Sequence, residues 1–247
     1  MSKTPKAITP KEAAQEALSY FRANADPEKA EKFQRYFKDP VDYYGVDYGP
    51  FKEWKADFFA RTQEHWKLPD ALEFCELMLE DKYMESRGTG YVTVGLFVDE
   101  AGPDLLIKVK EWLESFCGNW GLVDNLPPYV LSPLLKKHPG LLDEVKGWTE
   151  SPSQWVRRGA AVGLVSLVGE DSFKDAAYEV ATQLQGDKED LIHKAVGWLL
   201  REAGKVDAER LETYLLDQGP RTPRTTLRYA IEKFPKEDRK RIMAATK

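Results

Sequence analysis

Proline constrains this chain more than any other residue, because it keeps falling where only the first turn of a helix tolerates it. A first-turn N–H has no intrahelical partner to lose, and proline's fixed φ already suits the helix. Thr9-Pro10-Lys11-Glu12 places a capping hydroxyl, a proline and a reciprocal glutamate in capping-box order. Asp26-Pro27-Glu28 repeats the arrangement ahead of Ala30 to Phe37, and Leu68-Pro69-Asp70 ahead of Ala71 to Leu79. Gly102-Pro103-Asp104 opens Leu105 to Phe116, and Ser151-Pro152 opens a run from Gln154 to Val168. Gly140, Gly169, Gly186, Gly204 and Gly219 follow apolar-periodic stretches and are expected as helix stops. The segment Tyr91 to Phe97 has β propensity but no second strand to pair with, so it is read as part of a buried helix from about Lys82.

The expected fold is therefore all-α, with helices of ~10–17 residues joined by short connections. Successive antiparallel helix pairs of ~35–45 residues predict an α-solenoid of the HEAT or armadillo kind. One domain is expected over residues 1–247, with 1–8 a flexible N-terminal segment.

Composition narrows the function classes. Hydrophobic residues at 42% exclude a disordered chain. Two cysteines, Cys75 and Cys117, argue against a disulfide framework, and three scattered histidines without a Cys-x-x-Cys exclude the common zinc layouts. No apolar run reaches the ~18 residues of a membrane span, and Met1 to Lys6 has no apolar core behind its lysines. A soluble, cytoplasmic protein is expected, without a membrane partner. Its net charge of −5 is unevenly placed: residues 194–247 carry 13 basic and 8 acidic groups, a net of +5. Such a basic end suits either a solvated terminal helix or a polyanion-binding face.

Three segments carry candidate chemistry. From Asp190 to Glu202, Ile192, Ala195, Val196, Leu199 and Ala203 gather on one helical face, while Lys194, Trp198 and Arg201 stand opposite. An indole flanked by cations suits a nucleic-acid surface, or packs on a neighbouring helix. In Asn119-Trp120-Gly121-Leu122-Val123-Asp124, a helix would make Trp120 and Asp124 neighbours at i and i+4. That carboxylate could hold charge near a cation-forming group, or serve as a helix cap. In Trp155 to Val165 the helix is apolar all round after Arg158, so Arg157 and Arg158 need partners. An internal carboxylate or a phosphate held bidentately would each satisfy them.

These segments, with His138-Pro139 and the run Lys194-Ala195-Val196-Gly197-Trp198-Leu199-Leu200-Arg201-Glu202, resemble in order and spacing the AlkD-type DNA alkylation repair glycosylases. The resemblance covers roughly residues 30–240, and Tyr43-Tyr44-Gly45-Val46 resembles that family's N-terminal signature. It implies HEAT-like repeats curved into a basic concave cleft for duplex DNA. The activity implied is base excision repair: hydrolysis of the N-glycosidic bond of cationic alkylpurines such as 3-methyladenine and 7-methylguanine, without a base-flipping pocket. By matching position, Asp124 corresponds to the catalytic carboxylate, Trp120 and Trp198 to the tryptophans flanking the lesion, and Arg158 to the arginine at its phosphate. Lys194, Arg201, Arg157, Arg221, Arg224 and Arg228 are the expected DNA-binding cations. The sequence departs from the family at Gly121, where many relatives have Asp, at Phe51-Lys52, and at Arg224-Thr225-Thr226 followed by Arg228, where Arg-Arg-Glu is usual.

The chemistry implied is simple. An alkylpurine cation leaves as a neutral base while its sugar gains oxocarbenium character, so a fixed carboxylate and aromatic faces suffice. No metal and no cofactor are expected, nor an obligate protein partner, and the implied species is a monomer on alkylated duplex DNA, nucleoid-associated when bound. Two other readings stay open: an inactive relative that binds branched or distorted DNA by shape, and a protein-binding helical scaffold.

Overall fold

A computed structural model describes residues 8–247, so the flexible segment expected over 1–8 falls, apart from Ile8, outside the described residues. All regular structure among the described residues is helical. The chain forms two compact units that divide between Leu105 and Leu106.

The first unit holds α1 (Pro10–Ala23), α2 (Pro27–Gln34), α3 (Tyr48–Gln63), α4 (Leu68–Leu79) and α5 (Met84–Gly95). The proline signals act as the sequence predicts. Thr9 and Glu12 complete the capping box of α1, and the Asp26 carboxylate accepts from the N–H groups of Glu28 and Lys29 at the start of α2. Residues 84–95 are helical despite their β propensity, because α5 packs along α4 and buries Tyr91, Val92 and Val94. Aromatic side chains fill this unit: Phe21, Phe58 and Phe74 are fully buried, and Trp54 stacks on Tyr20 at 4.5 Å.

The loop before α3 is fastened by one carboxylate. Glu85, buried in α5, accepts from the backbone N–H groups of Tyr44 (3.0 Å), Gly45 (2.9 Å) and Val46 (3.4 Å). Gly45 has φ +78°, and a Cβ there would stand 2.2 Å from the Asp26 carbonyl oxygen. This close approach accounts for the glycine in the Tyr-Tyr-Gly-Val segment.

The second unit begins with α6 (Leu105–Ser115), whose first residue closes the first unit, and continues with α7 (Trp120–Leu126), α8 (Ser132–Lys137), α9 (Leu142–Gly147) and α10 (Gln154–Val162). It ends with α11 (Lys174–Gln183), α12 (Asp190–Val206), α13 (Ala208–Gln218), α14 (Arg224–Ala230) and α15 (Lys236–Ala245). A row of helices forms as α7 packs on α10, α10 on α12 and α12 on α14. A second row follows from α9 on α11 and α13 on α15, with α11 and α13 also backing α12. Packing of each helix on its neighbours in the row is the pattern of helical-repeat arrays.

Glycines of this unit make room for leucine side chains of neighbouring elements. A Cβ on Gly159 of α10 would meet Leu113 of α6 at 2.6 Å, and one on Gly163 would meet Leu131 at 2.6 Å. Gly204 does not stop its helix: α12 runs on to Val206, and Gly204 serves instead as a contact point where a Cβ would press on Leu211 at 2.3 Å. The run from Gln154 is helical only to Val162, after which turns carry the chain to Val168, and the Gly163 carbonyl accepts from the Ser132 hydroxyl at 2.8 Å.

Candidate active site

Asn119 decides the setting of the site. Its side chain accepts from the Leu122 N–H at 3.0 Å and caps α7, so Asp124 is free of any capping role. Trp120 and Asp124 lie one turn apart within α7, both half-buried. The helix passes through a π-helical turn, Pro127–Leu131, which lets it contain two prolines and continue into α8.

Arg158 of α10 reaches Asp124 with both arms of its fork: Nε donates to Oδ1 and Nη2 to Oδ2, each at 2.7 Å. The arginine side chain is 6% exposed and the carboxylate 20%. Its remaining arm, Nη1, donates to the Leu191 carbonyl in the first turn of α12. One guanidinium therefore ties three successive helices of the row together. Of the two partners the sequence allowed for Arg158, the folded chain supplies the internal carboxylate.

On α12 the burial pattern follows the expected periodicity. Ile192, Ala195, Val196, Leu199 and Ala203 are buried, while Lys194, Trp198 and Arg201 form a half-buried strip. At about 100° per residue, Trp198 lies on the same side of the helix as Leu191, to which Arg158 is bound. Its indole N–H has no hydrogen-bond partner among the described residues.

The six expected DNA-binding cations fare differently. Arg157 is internal: it donates to both Asp187 oxygens, at 2.6 and 3.4 Å, and to the carbonyls of Ser151 and Pro152. Arg224 closes the end of α15 through Met243 and Thr246, and Arg221 bonds back to the Asp217 and Gln218 carbonyls. Lys194 pairs with Asp190 at 2.8 Å; its hydrogen bond, with one from Thr225, holds that carboxyl below the usual range. Arg201 bonds Glu232 at 2.5 Å and Glu202 at 3.2 Å. Arg228 is exposed and has neither ion pair nor hydrogen bond among the described residues.

Asp187 and the Leu191 carbonyl, which receive Arg157 and Arg158, escaped sequence reasoning. Asp187 lies thirty residues after Arg157, beyond any local signal. A backbone carbonyl carries no residue signature at all. No three His, Cys, Asp or Glu side chains among the described residues gather as a metal site. No helix among them is long and apolar enough to cross a membrane.

A row of packed helices, with Asp124 of α7 clamped by Arg158 of α10 and half-buried tryptophans on α7 and α12, defines a helical-repeat protein. The chain belongs to the DNA alkylation repair enzyme family, whose profile matches residues 17–234. Its fold is shared with a protein described as a predicted DNA alkylation repair enzyme from Enterococcus faecalis, at a TM-score of 0.76 and 17% identity, over 86% of this chain and 98% of that one. The smu.31 protein of Streptococcus mutans UA159 is similar at a TM-score of 0.60 and 16% identity, over 90% of this chain and 98% of the other. No curated protein matches the sequence significantly.

Proposed function

We propose that the protein is a monofunctional DNA glycosylase that hydrolyses the N-glycosidic bond of cationic alkylpurines, of the 3-methyladenine and 7-methylguanine type, in duplex DNA. The observation that carries this reading is Asp124, a carboxylate fixed by two 2.7 Å hydrogen bonds and still open to solvent, one helical turn from Trp120. Membership of the DNA alkylation repair enzyme family supports DNA as the substrate.

The electrostatics can be sized. A carboxylate ~4 Å from a developing oxocarbenium is worth about 4 kcal/mol at an effective dielectric of ~20. The Arg158 guanidinium, roughly 4 Å further back, offsets about half of that. A residue of about 2 kcal/mol remains, or roughly 30-fold in rate. Because the leaving base is already cationic, this modest, preorganised contribution acts on a bond that is weak to begin with. Trp120 and Trp198 offer indole faces that favour positive charge by ~0.5–2 kcal/mol each. Asp124 stabilises the sugar's charge as the glycosidic bond breaks and the base departs neutral; a water adds to the anomeric carbon and gives up its proton to solvent.

The test is incubation with duplex DNA containing 7-methylguanine, assayed for free base and abasic sites. Stoichiometric release of both supports the assignment. Binding without release replaces it with the alternative of a relative that recognises distorted DNA by shape.

A further inference from the structure

Three contacts run in register along the seam between α12 and α14. The Thr225 hydroxyl donates to Asp190 at 3.1 Å, Arg201 donates to Glu232 at 2.5 Å, and between them Tyr229 crosses α12 at Gly197. A Cβ on Gly197 would stand 2.4 Å from the Tyr229 Cβ and 2.8 Å from the Thr226 carbonyl oxygen. Only glycine admits α14 this close. Thr225 and Tyr229, at i and i+4, lie on one stripe of α14, and Glu232 follows in the turn after the helix ends at Ala230. Their counterparts Asp190, Gly197 and Arg201 fall within about 40° of one another around α12, and Lys194 and Trp198 come next, about 60° and 100° round from Gly197. Tyr229 thus borders the strip that carries Trp198.

Its state is unusual for a residue so firmly seated at its Cβ. Tyr229 is 38% exposed, and its hydroxyl has no partner among the described residues. The residue before it, Arg228, is the exposed cation without an internal carboxylate. The other cations of the strip are at least partly neutralised by Asp190, Glu202 and Glu232. An exposed aromatic ring with a free donor, its Cβ seated against Gly197 and its neighbour in sequence an uncompensated guanidinium, has the chemistry of a sugar–phosphate contact.

We infer that Tyr229 is a further DNA-contacting residue, packing its ring on a deoxyribose of the strand held at Trp198 and donating its hydroxyl to the adjoining phosphate, with Arg228 on the next phosphate. This rests on the reading that the α12 strip faces DNA. Gly197 then has a second role: it seats the tyrosine beside Trp198 rather than merely packing two helices.

The experiment is fluorescence anisotropy of an undamaged duplex across a salt series, with wild type, Tyr229→Phe, Tyr229→Ala, Arg228→Ala and Trp198→Ala. Tyr229→Phe keeps the Cβ seat at Gly197 and the ring, and loses only the hydroxyl, so it decides even if the alanine variant misfolds. It should bind about 3–5-fold more weakly. A folded Tyr229→Ala should lose about 10-fold or more, as ring contact goes with the hydrogen bond. Neither removes a charge, so the slope of log affinity against log salt should stay that of wild type, while Arg228→Ala lowers it by about one. If Tyr229→Phe binds like wild type while Arg228→Ala and Trp198→Ala are weakened, the inference is overturned and the site reading stands. If wild type shows no duplex binding, both fall together.

Discussion

Arg157 and Asp187 form a closed pair immediately beside the site: Nε and Nη2 of the arginine reach the two carboxylate oxygens at 2.6 and 3.4 Å, with the carboxylate 7% exposed. Asp187 also accepts from the Glu189 N–H at 2.9 Å, just ahead of the α12 start to which Arg158 is bound. Neighbouring arginines on α10 are thereby assigned to separate carboxylates, Arg157 to Asp187 and Arg158 to Asp124. Removing Asp187 should leave a largely buried guanidinium with only backbone partners, so Asp187→Ala should destabilise the fold by about 2–3 kcal/mol in urea titrations. The salt slope of DNA binding should not change, because Arg157 is spent internally.

The same pair sets an acid limit. Burial alone would raise the Asp187 carboxyl; the Arg157 hydrogen bond, the Glu189 N–H and the charges of Arg157 and His193 together hold it below the usual aspartate range. A carboxyl lowered by folding adds stability that is fully present above its unfolded value of about 3.9 and fades as pH falls through its folded value. The Asp187 contribution should therefore be constant from pH 7 to pH 5 and be lost below about pH 4 in urea titrations. Asp187→Asn should show a shallower acid loss. An identical acid profile in the two proteins would assign that loss to other carboxylates.

Asp124→Asn tests chemistry and folding at once. The amide keeps one acceptor but turns an N–H₂ toward an Arg158 arm, leaving a buried donor unsatisfied. A loss of about 1–3 kcal/mol in stability is expected. Single-turnover excision by the folded variant should slow by about 10–100-fold, with duplex binding retained. Excision at the wild-type rate would make Asp124 a purely structural partner of Arg158.

Gly197→Ala sets two effects against each other. Alanine is the better helix former by about 1 kcal/mol. The added methyl, however, would press on backbone and Cβ atoms of α14 that have no rotamer to escape into. Overpacking of that kind costs about 1–3 kcal/mol, so net destabilisation is expected in thermal melts. A stabilised variant would mean that α14 shifts freely, and the seam would not be a fixed element of the site.

Glu85→Gln probes the first unit. Burial raises the Glu85 carboxyl, and the three N–H bonds from Tyr44, Gly45 and Val46 only partly counter it. Glutamine offers one oxygen to three donors and turns its own N–H₂ on the rest, so a loss of about 1–3 kcal/mol is expected. The raised carboxyl gives the opposite pH sign to Asp187: its contribution is greatest at low pH and declines as pH rises through the folded value. The acid loss below pH 4 should therefore not diminish in Glu85→Gln. Unchanged stability would show that the loop before α3 is held by its ring contacts alone.

Local physics made much of this protein legible in advance. Proline, a capping side chain and a reciprocal glutamate act within one turn, so Thr9-Pro10 and Asp26-Pro27 announce their helices without tertiary context. Periodicity likewise separated Ile192, Ala195 and Leu199 from Lys194, Trp198 and Arg201, because a helix repeats its faces whatever it packs against. It also set Trp120 one turn from Asp124. What the sequence could not carry were pairings across dozens of residues: Arg158 with Asp124, Arg157 with Asp187, Arg201 with Glu232. A guanidinium looks the same in sequence whether a carboxylate or a phosphate will meet it, and only the stacking of α7, α10 and α12 decides which lies within reach. Gly204 reads as a stop until the neighbouring helix arrives. A missing side chain has meaning only against the atoms that fill its place.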